Sequence, residues 1–338
     1  MSIEKPAKAI RPRNDELLNY LLRPAKNIER KMLCEALSRL SIISKLSNYL
    51  YVGFGSTYFA DFILFHKALG IQKLISIEGD DAMEERVRFN NPYSCIDILI
   101  GQSTEMLPEV PWEKQKSILW LDYTSTLEGY MFNDMATFFN RAQSGSVFII
   151  SVNVDIQDQT ESKTTNEKIK KKLEKDSEVK KRIHNNQLKK DLKKENYYSI
   201  IRGVIHEEIL DIINARNKIE SIDKLNYKQI FNFLYKDGAA MLTIGGILFS
   251  EKDRDKISKM TFENMDFFKD KDEYFEIIVP NLTSREIKTL DKYLPNINND
   301  ALAKKQAQDE LKNVISNDVI DKYSKIYRYF PYFTETNL

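Results

Sequence analysis

Gly53 and Gly55 close a short apolar run, Leu50-Tyr51-Val52, and Glu78 closes a second, Leu74-Ile75-Ser76-Ile77, one helix length later. Glycine lets a backbone turn approach a ligand closely, and a carboxylate ending the neighbouring strand can accept hydrogen bonds from two ribose hydroxyls. This order of residue types predicts a site for a nucleoside-containing cofactor. Two more apolar runs end in polar residues, one in the turn Gly101-Gln102 and the other in Asp122-Tyr123. Asp122 there could orient a reacting group or take its proton, or it could cap the turn that follows. Tyr123 could shape a pocket or pack.

Arg23, Lys26 and Arg30 are spaced three and four apart and so share one helical face. They are the candidate substrate-binding residues, able to grip phosphate of a nucleotide or nucleic-acid substrate. Ordinary pairing with Glu16, Glu29 and Glu35 is the plainer alternative. His66 sits inside a helical stretch and reads as structural.

Composition narrows the classes. Hydrophobic residues at 42% and aromatics at 11% supply a core, and a net charge of +1 argues against a uniformly basic nucleic-acid binder. Two cysteines and three histidines offer neither a disulfide framework nor a metal site. Residues 1–13 lack the apolar segment of a signal peptide, and no apolar run approaches the roughly 20 residues of a membrane span. A soluble, cytoplasmic protein without a metal or a membrane partner is expected.

The elements that position these groups alternate. Residues 14–47 have helical periodicity, with Leu17, Leu18, Leu21 and Leu22 opening an apolar stripe and Pro24 dividing it. Strands are expected over 49–54, 73–78, 95–100, 117–122 and 146–154, with helices over 57–69, 80–90 and 127–142. Such alternation with short links predicts an α/β fold with a parallel sheet covered on both faces. Residues 155–199 read as a charged insertion, helical in part and largely solvated, with sparse apolar residues Ile169, Leu173, Val179, Ile183 and Leu188. Helices are expected over 206–216 and 227–235, and strands over 240–249 and 273–279. Thr283 and Glu286 form a capping box opening a helical C-terminal extension over 281–338. The extension carries Tyr323, Tyr327, Tyr329, Phe330, Tyr332 and Phe333, expected to pack on the domain or on a second subunit, which makes a homodimer possible.

This order of parts resembles the class I S-adenosylmethionine-dependent methyltransferases, motif by motif over roughly 45–155. The resemblance implies a Rossmann-like, mostly parallel seven-stranded sheet over 48–154 and 200–280, with 240–249 and 273–279 as its closing pair. It implies that Gly53, Gly55 and Ser56 lie against the methionine portion of the cofactor, Glu78 on the ribose and Gln102 beside the adenine. Asp122 and Tyr123 would meet the methyl donor and acceptor. Two positions depart from the family pattern: Tyr51 stands where an acidic residue is usual, and Thr57 where a third glycine is usual. Asp61 is a candidate to supply the missing acid. The Asn-Pro-Pro-Tyr loop of adenine-N6 enzymes is absent, so a hydroxyl of a small molecule or protein is the expected acceptor, with nucleic acid not favoured. A non-catalytic methyltransferase-like nucleotide-binding or assembly protein and a nicotinamide-dependent oxidoreductase remain as alternatives.

Overall fold

The computed structural model of the chain describes residues 23–156, 164–183, 192–219 and 223–331. The helix expected over 14–22 lies outside them, as do Glu16, His184, Leu188, Tyr332 and Phe333. Eight strands form one sheet: β1 (Leu50–Gly53), β2 (Lys73–Glu78), β3 (Ile96–Ile100), β4 (Ser117–Asp122), β5 (Val147–Asn153), β6 (Leu225–Lys236), β7 (Ala240–Ser250) and β8 (Phe275–Ile277). Their order is β3-β2-β1-β4-β5-β7-β6-β8. β1 to β5 run parallel, β7 is antiparallel to both neighbours, and β8 lies parallel to β6. All the parallel strands therefore end at one rim.

The principal helices are α1 (Pro24–Ser38), α2 (Ala60–Leu69), α3 (Gly129–Arg141), α4 (Thr165–Leu173), α5 (Lys194–Ile219), α6 (Ser284–Asp291), α7 (Ala301–Leu311) and α8 (Asn317–Ile326). Alternate strand residues serve opposite faces. Tyr51, Trp120 and Ile149 join Ile28, Phe62 and Phe65 from α1 and α2 in one cluster. Val52, Leu121 and Ile150 join Phe138 and Ile205 from α3 and α5 in the other. Both faces are covered, which is why the central strands are apolar throughout.

Three expectations need correcting. Residues 227–235 are not a helix but the middle of β6, and β6 with β7 makes the closing pair. Residues 275–277 are an additional eighth strand on the outer edge of β6, not the antiparallel seventh. The described part of the insertion is docked rather than largely solvated. Ile169, Leu173, Val179 and Ile183 are all buried in the α3–α5 cluster, and the Arg182 guanidinium lies 4.0 Å from the Phe132 ring centroid. The β6–β7 pair explains Gly245 and Gly246: a Cβ on Gly245 would meet the Phe231 ring at 2.6 Å, opposite a register shift between Gln229 and Phe231.

Thr283 and Glu286 form the expected capping box at α6. Tyr323 and Tyr329 are buried against the same chain. The Tyr329 hydroxyl donates to Glu35 at 2.6 Å, and Lys31 donates to the Tyr329 carbonyl at 3.0 Å, so the tail is fastened to α1.

Candidate functional site at the sheet rim

β1 runs into a tight turn. The Gly55 amide donates to Ser76 Oγ at 3.1 Å, and the Phe59 amide closes onto the Gly55 carbonyl at 2.9 Å. Ser56 and Phe59 both hold positive φ, at 52° and 46°, which non-glycine residues adopt rarely. Backbone held there costs on the order of 1–3 kcal/mol and gathers at functional sites. The two glycines give room to the chain's own side chains: a Cβ on Gly53 would meet the Tyr51 hydroxyl at 2.7 Å, and one on Gly55 the Phe59 ring at 2.8 Å.

The Tyr51 hydroxyl donates to Asp61 in the first turn of α2. Asp61 is buried, and burial pushes its carboxyl upward against the opposing charge of Arg30 and the Tyr51 hydrogen bond. The carboxylate absent from position 51 is thus present one side chain further on.

Glu78 and Gln102 meet where β2 and β3 end. The Gly101 amide donates to the Glu78 carbonyl at 2.9 Å, and Gln102 Nε2 donates to the Gly79 carbonyl at 2.8 Å. Glu78 is partly exposed, with Oε1 accepting from the Asp80 amide at 3.1 Å, and Gln102 is exposed. Both side chains stand at the rim within reach of a ligand.

Asp122 ends β4 on the α1 side. Lys26 Nζ lies 2.6 Å from Asp122 Oδ1, 2.9 Å from the Tyr235 hydroxyl and 2.8 Å from Glu29 Oε2, above the Trp120 ring at 4.4 Å. Lys26 and Arg30 are 1% and 7% exposed, so the predicted basic patch is not on the surface. Its charges turn inward, because α1 lays them over the carboxylates of Asp122, Glu29 and Asp61. Burial raises the Glu29 carboxyl, against the pull of Lys26. Burial would also raise Asp122, but Lys26, Arg30 and Arg23 outweigh it and hold the group below its ordinary range. A quarter of the Asp122 side chain, 26%, still reaches the surface.

Tyr123 points to the opposite face. Its hydroxyl donates to Asp134, which also accepts from Ser103 at 2.6 Å, and its ring packs on Phe54 with centroids 5.3 Å apart. His66 Nδ1 lies 2.8 Å from the Ile71 carbonyl, in keeping with a structural role.

Sequence reasoning missed Asp237 and Tyr235. The Asp237 carboxylate, in the β6–β7 hairpin, accepts from the Ala25 and Lys26 amides at 3.1 and 2.8 Å and so caps the start of α1. Its only sequence signal was the Asp-Gly turn between two apolar runs, which marks a hairpin. Among the described residues, no acidic, histidine or cysteine cluster could hold a metal, and no helix is long and apolar enough to cross a membrane.

The model of a family described as "Putative O-methyltransferase" matches residues 18–338. No curated protein sequence matches the chain. Among solved structures, the N-methyltransferase NodS of Bradyrhizobium japonicum is similar at 12% identity and a TM-score of 0.36, over 65% of this chain and 96% of that one. Spermidine synthase from Thermotoga maritima aligns at 13% identity and a TM-score of 0.34, over 74% of this chain and 68% of that one. A protein described as a "putative methyltransferase", solved in complex with the Trm112 methyltransferase activator of Haloferax volcanii, aligns at 13% identity and a TM-score of 0.28, over 38% of this chain. That alignment spans about half of the relative, 55%. With nearly its whole length matched and with the strand order found here, the chain belongs to this O-methyltransferase family, within the class I S-adenosylmethionine-dependent methyltransferases.

Proposed function

We propose that the chain transfers a methyl group from S-adenosylmethionine to a hydroxyl oxygen, with a small-molecule acceptor preferred over a protein. The observation that carries this reading is the alignment of the β1 turn, Glu78, Gln102 and Asp122 along one rim of a β3-β2-β1-β4-β5-β7-β6 sheet. The residues fit the cofactor. Glu78, partly exposed, would accept the ribose hydroxyls, Gln102 would face the adenine, and the Gly53–Ser56 turn, with Ser56 at positive φ, would hold the methionine portion. Asp61, hydrogen-bonded to Tyr51, puts a carboxylate beside the position where the family has one, which supports the catalytic reading over a non-catalytic one.

The cofactor brings an activated methyl carbon, so alignment and proton handling are what remains for the protein. Asp122 is held ionised by Lys26 and is therefore a weak base, suited to orienting the acceptor rather than taking its proton. Lys26 fixes Asp122 in place from beneath, and the acceptor's hydroxyl proton would pass to solvent water as the methyl group is transferred. Arg23 and Arg30 act here by balancing buried carboxylates instead of gripping phosphate. Tyr123 serves as a wall. The two free cysteines, Cys34 and Cys95, suit a reducing compartment, so the cytoplasm is the expected location. Of the aromatic rings that motivated a homodimer, Tyr323 and Tyr329 are buried within the chain.

Calorimetric titration with S-adenosylhomocysteine tests the reading. Saturable binding is expected, and a folded sample showing no heat at millimolar ligand would overturn it.

A further inference from the structure

The rim carries a cavity whose lining includes none of the residues assigned above to the cofactor. A cavity of about 780 Å³ opens where β6 and β8 end, bounded by the chain after β8 and by Phe330 and Pro331. Leu234, Ile278, Leu282, Ile287 and Phe330 give it apolar walls. Its size is that of a small-molecule site, for which roughly 300–1,000 Å³ is usual. Tyr235 belongs to both places: it lines the cavity, and its hydroxyl is 2.9 Å from Lys26 Nζ, itself 2.6 Å from Asp122. The cavity thus ends two hydrogen bonds from the tip of β4.

Charge at its edge is mixed and partly committed. Asp237 is taken by the start of α1, and Lys236 stands 3.9 Å from Asp155, leaving Lys194 and Glu276 with opposite signs. No excess of one sign calls for an ionic ligand, while the apolar walls favour a ring-bearing body.

We propose that this cavity is the acceptor site, and that it takes a neutral small molecule with an apolar ring body and a hydroxyl directed at Tyr235. The proposal rests on the methyl-transfer reading. It also assigns acceptor selection to β8 and the segment behind it, which lie outside the seven strands shared with the superfamily.

The test uses the full chain and the fluorescent phenol 1-hydroxypyrene, followed by anisotropy, with S-adenosylhomocysteine titrated into the same samples. Ile278 and Leu282 are half-buried in the segment after β8, so Ile278→Trp and Leu282→Trp fill the cavity with little demand on the core. Saturable hydroxypyrene binding is expected in the original protein. Each variant should weaken it by about tenfold or more, with S-adenosylhomocysteine affinity kept within about twofold. Absence of saturable binding, or equal affinity in both variants, overturns the proposal. Hydroxypyrene binding that the variants abolish, in a protein that never binds S-adenosylhomocysteine, would keep the ligand site and overturn its role as an acceptor site.

Discussion

Replacing Lys26 with methionine removes the cation that two carboxylates share while keeping most of the side chain's apolar stem. Lys26 is 1% exposed and Glu29 0%, so neither can exchange its partner for water without opening α1 from the sheet. Removing one member of a buried ion pair costs about 3–5 kcal/mol, because the other charge stays behind uncompensated. Asp122 can rehydrate through the 26% of its side chain that is open, whereas Glu29 cannot. The loss for Lys26→Met should therefore fall near the lower end, about 3 kcal/mol. Urea unfolding followed by tryptophan fluorescence measures it, and Trp120, whose ring centre lies 4.4 Å from Lys26 Nζ, reports on the site itself. Adding Glu29→Gln should recover on the order of 1–2 kcal/mol, since coupled neighbours are not additive. A Lys26→Met loss below about 1 kcal/mol, within the range of ordinary substitutions, would refute the buried network.

The carboxylates also set a pH dependence with opposite signs. Asp122 is held below its ordinary 3.8, so the stability it contributes is complete at neutral pH and disappears as pH falls through the folded value. Glu29 is raised above 4.5, so its contribution is present below that value and is lost as pH rises through the folded one; Glu29→Gln should remove that descent from urea midpoints measured across pH. Gly55→Ala should destabilise by about 1–3 kcal/mol in the same assay, because the new methyl meets the buried Phe59 ring, and a neutral result would mean the turn can relax. Glu78→Gln should weaken S-adenosylhomocysteine by roughly 10- to 100-fold in calorimetry, through loss of charge-assisted hydrogen bonds, with unfolding free energy held within about 0.5 kcal/mol. Unchanged affinity would remove Glu78 from the site.

The part of the fold legible in the sequence is the part with local causes. β1 to β5 are mainly apolar runs separated by turn residues; Pro24 starts α1; Gly70, at φ 70°, stops α2; and Thr283 with Glu286 opens α6. β6 was misread because β8 pairs on its far side. With both faces covered, it buries the polar Gln229 and Asn232 among its apolar residues and shows no clean alternation, so the segment does not read as a strand. The strand-ending groups Glu78, Gln102 and Asp122 were visible because the sheet rim follows from strand ends. The inward turn of Lys26 and Arg30 was not, since three- and four-residue spacing defines a helical face without saying what it meets. Nor could local sequence pair Asp237 with a helix start 211 residues away.

A crystal structure of the chain soaked with S-adenosylhomocysteine tests the central claim most directly. The expected density places the ribose hydroxyls on the Glu78 carboxylate, the adenine beside Gln102 and the homocysteine tail along the turn from Gly53 to Ser56. A nucleoside bound elsewhere, or a rim left without density at saturating ligand, would contradict it.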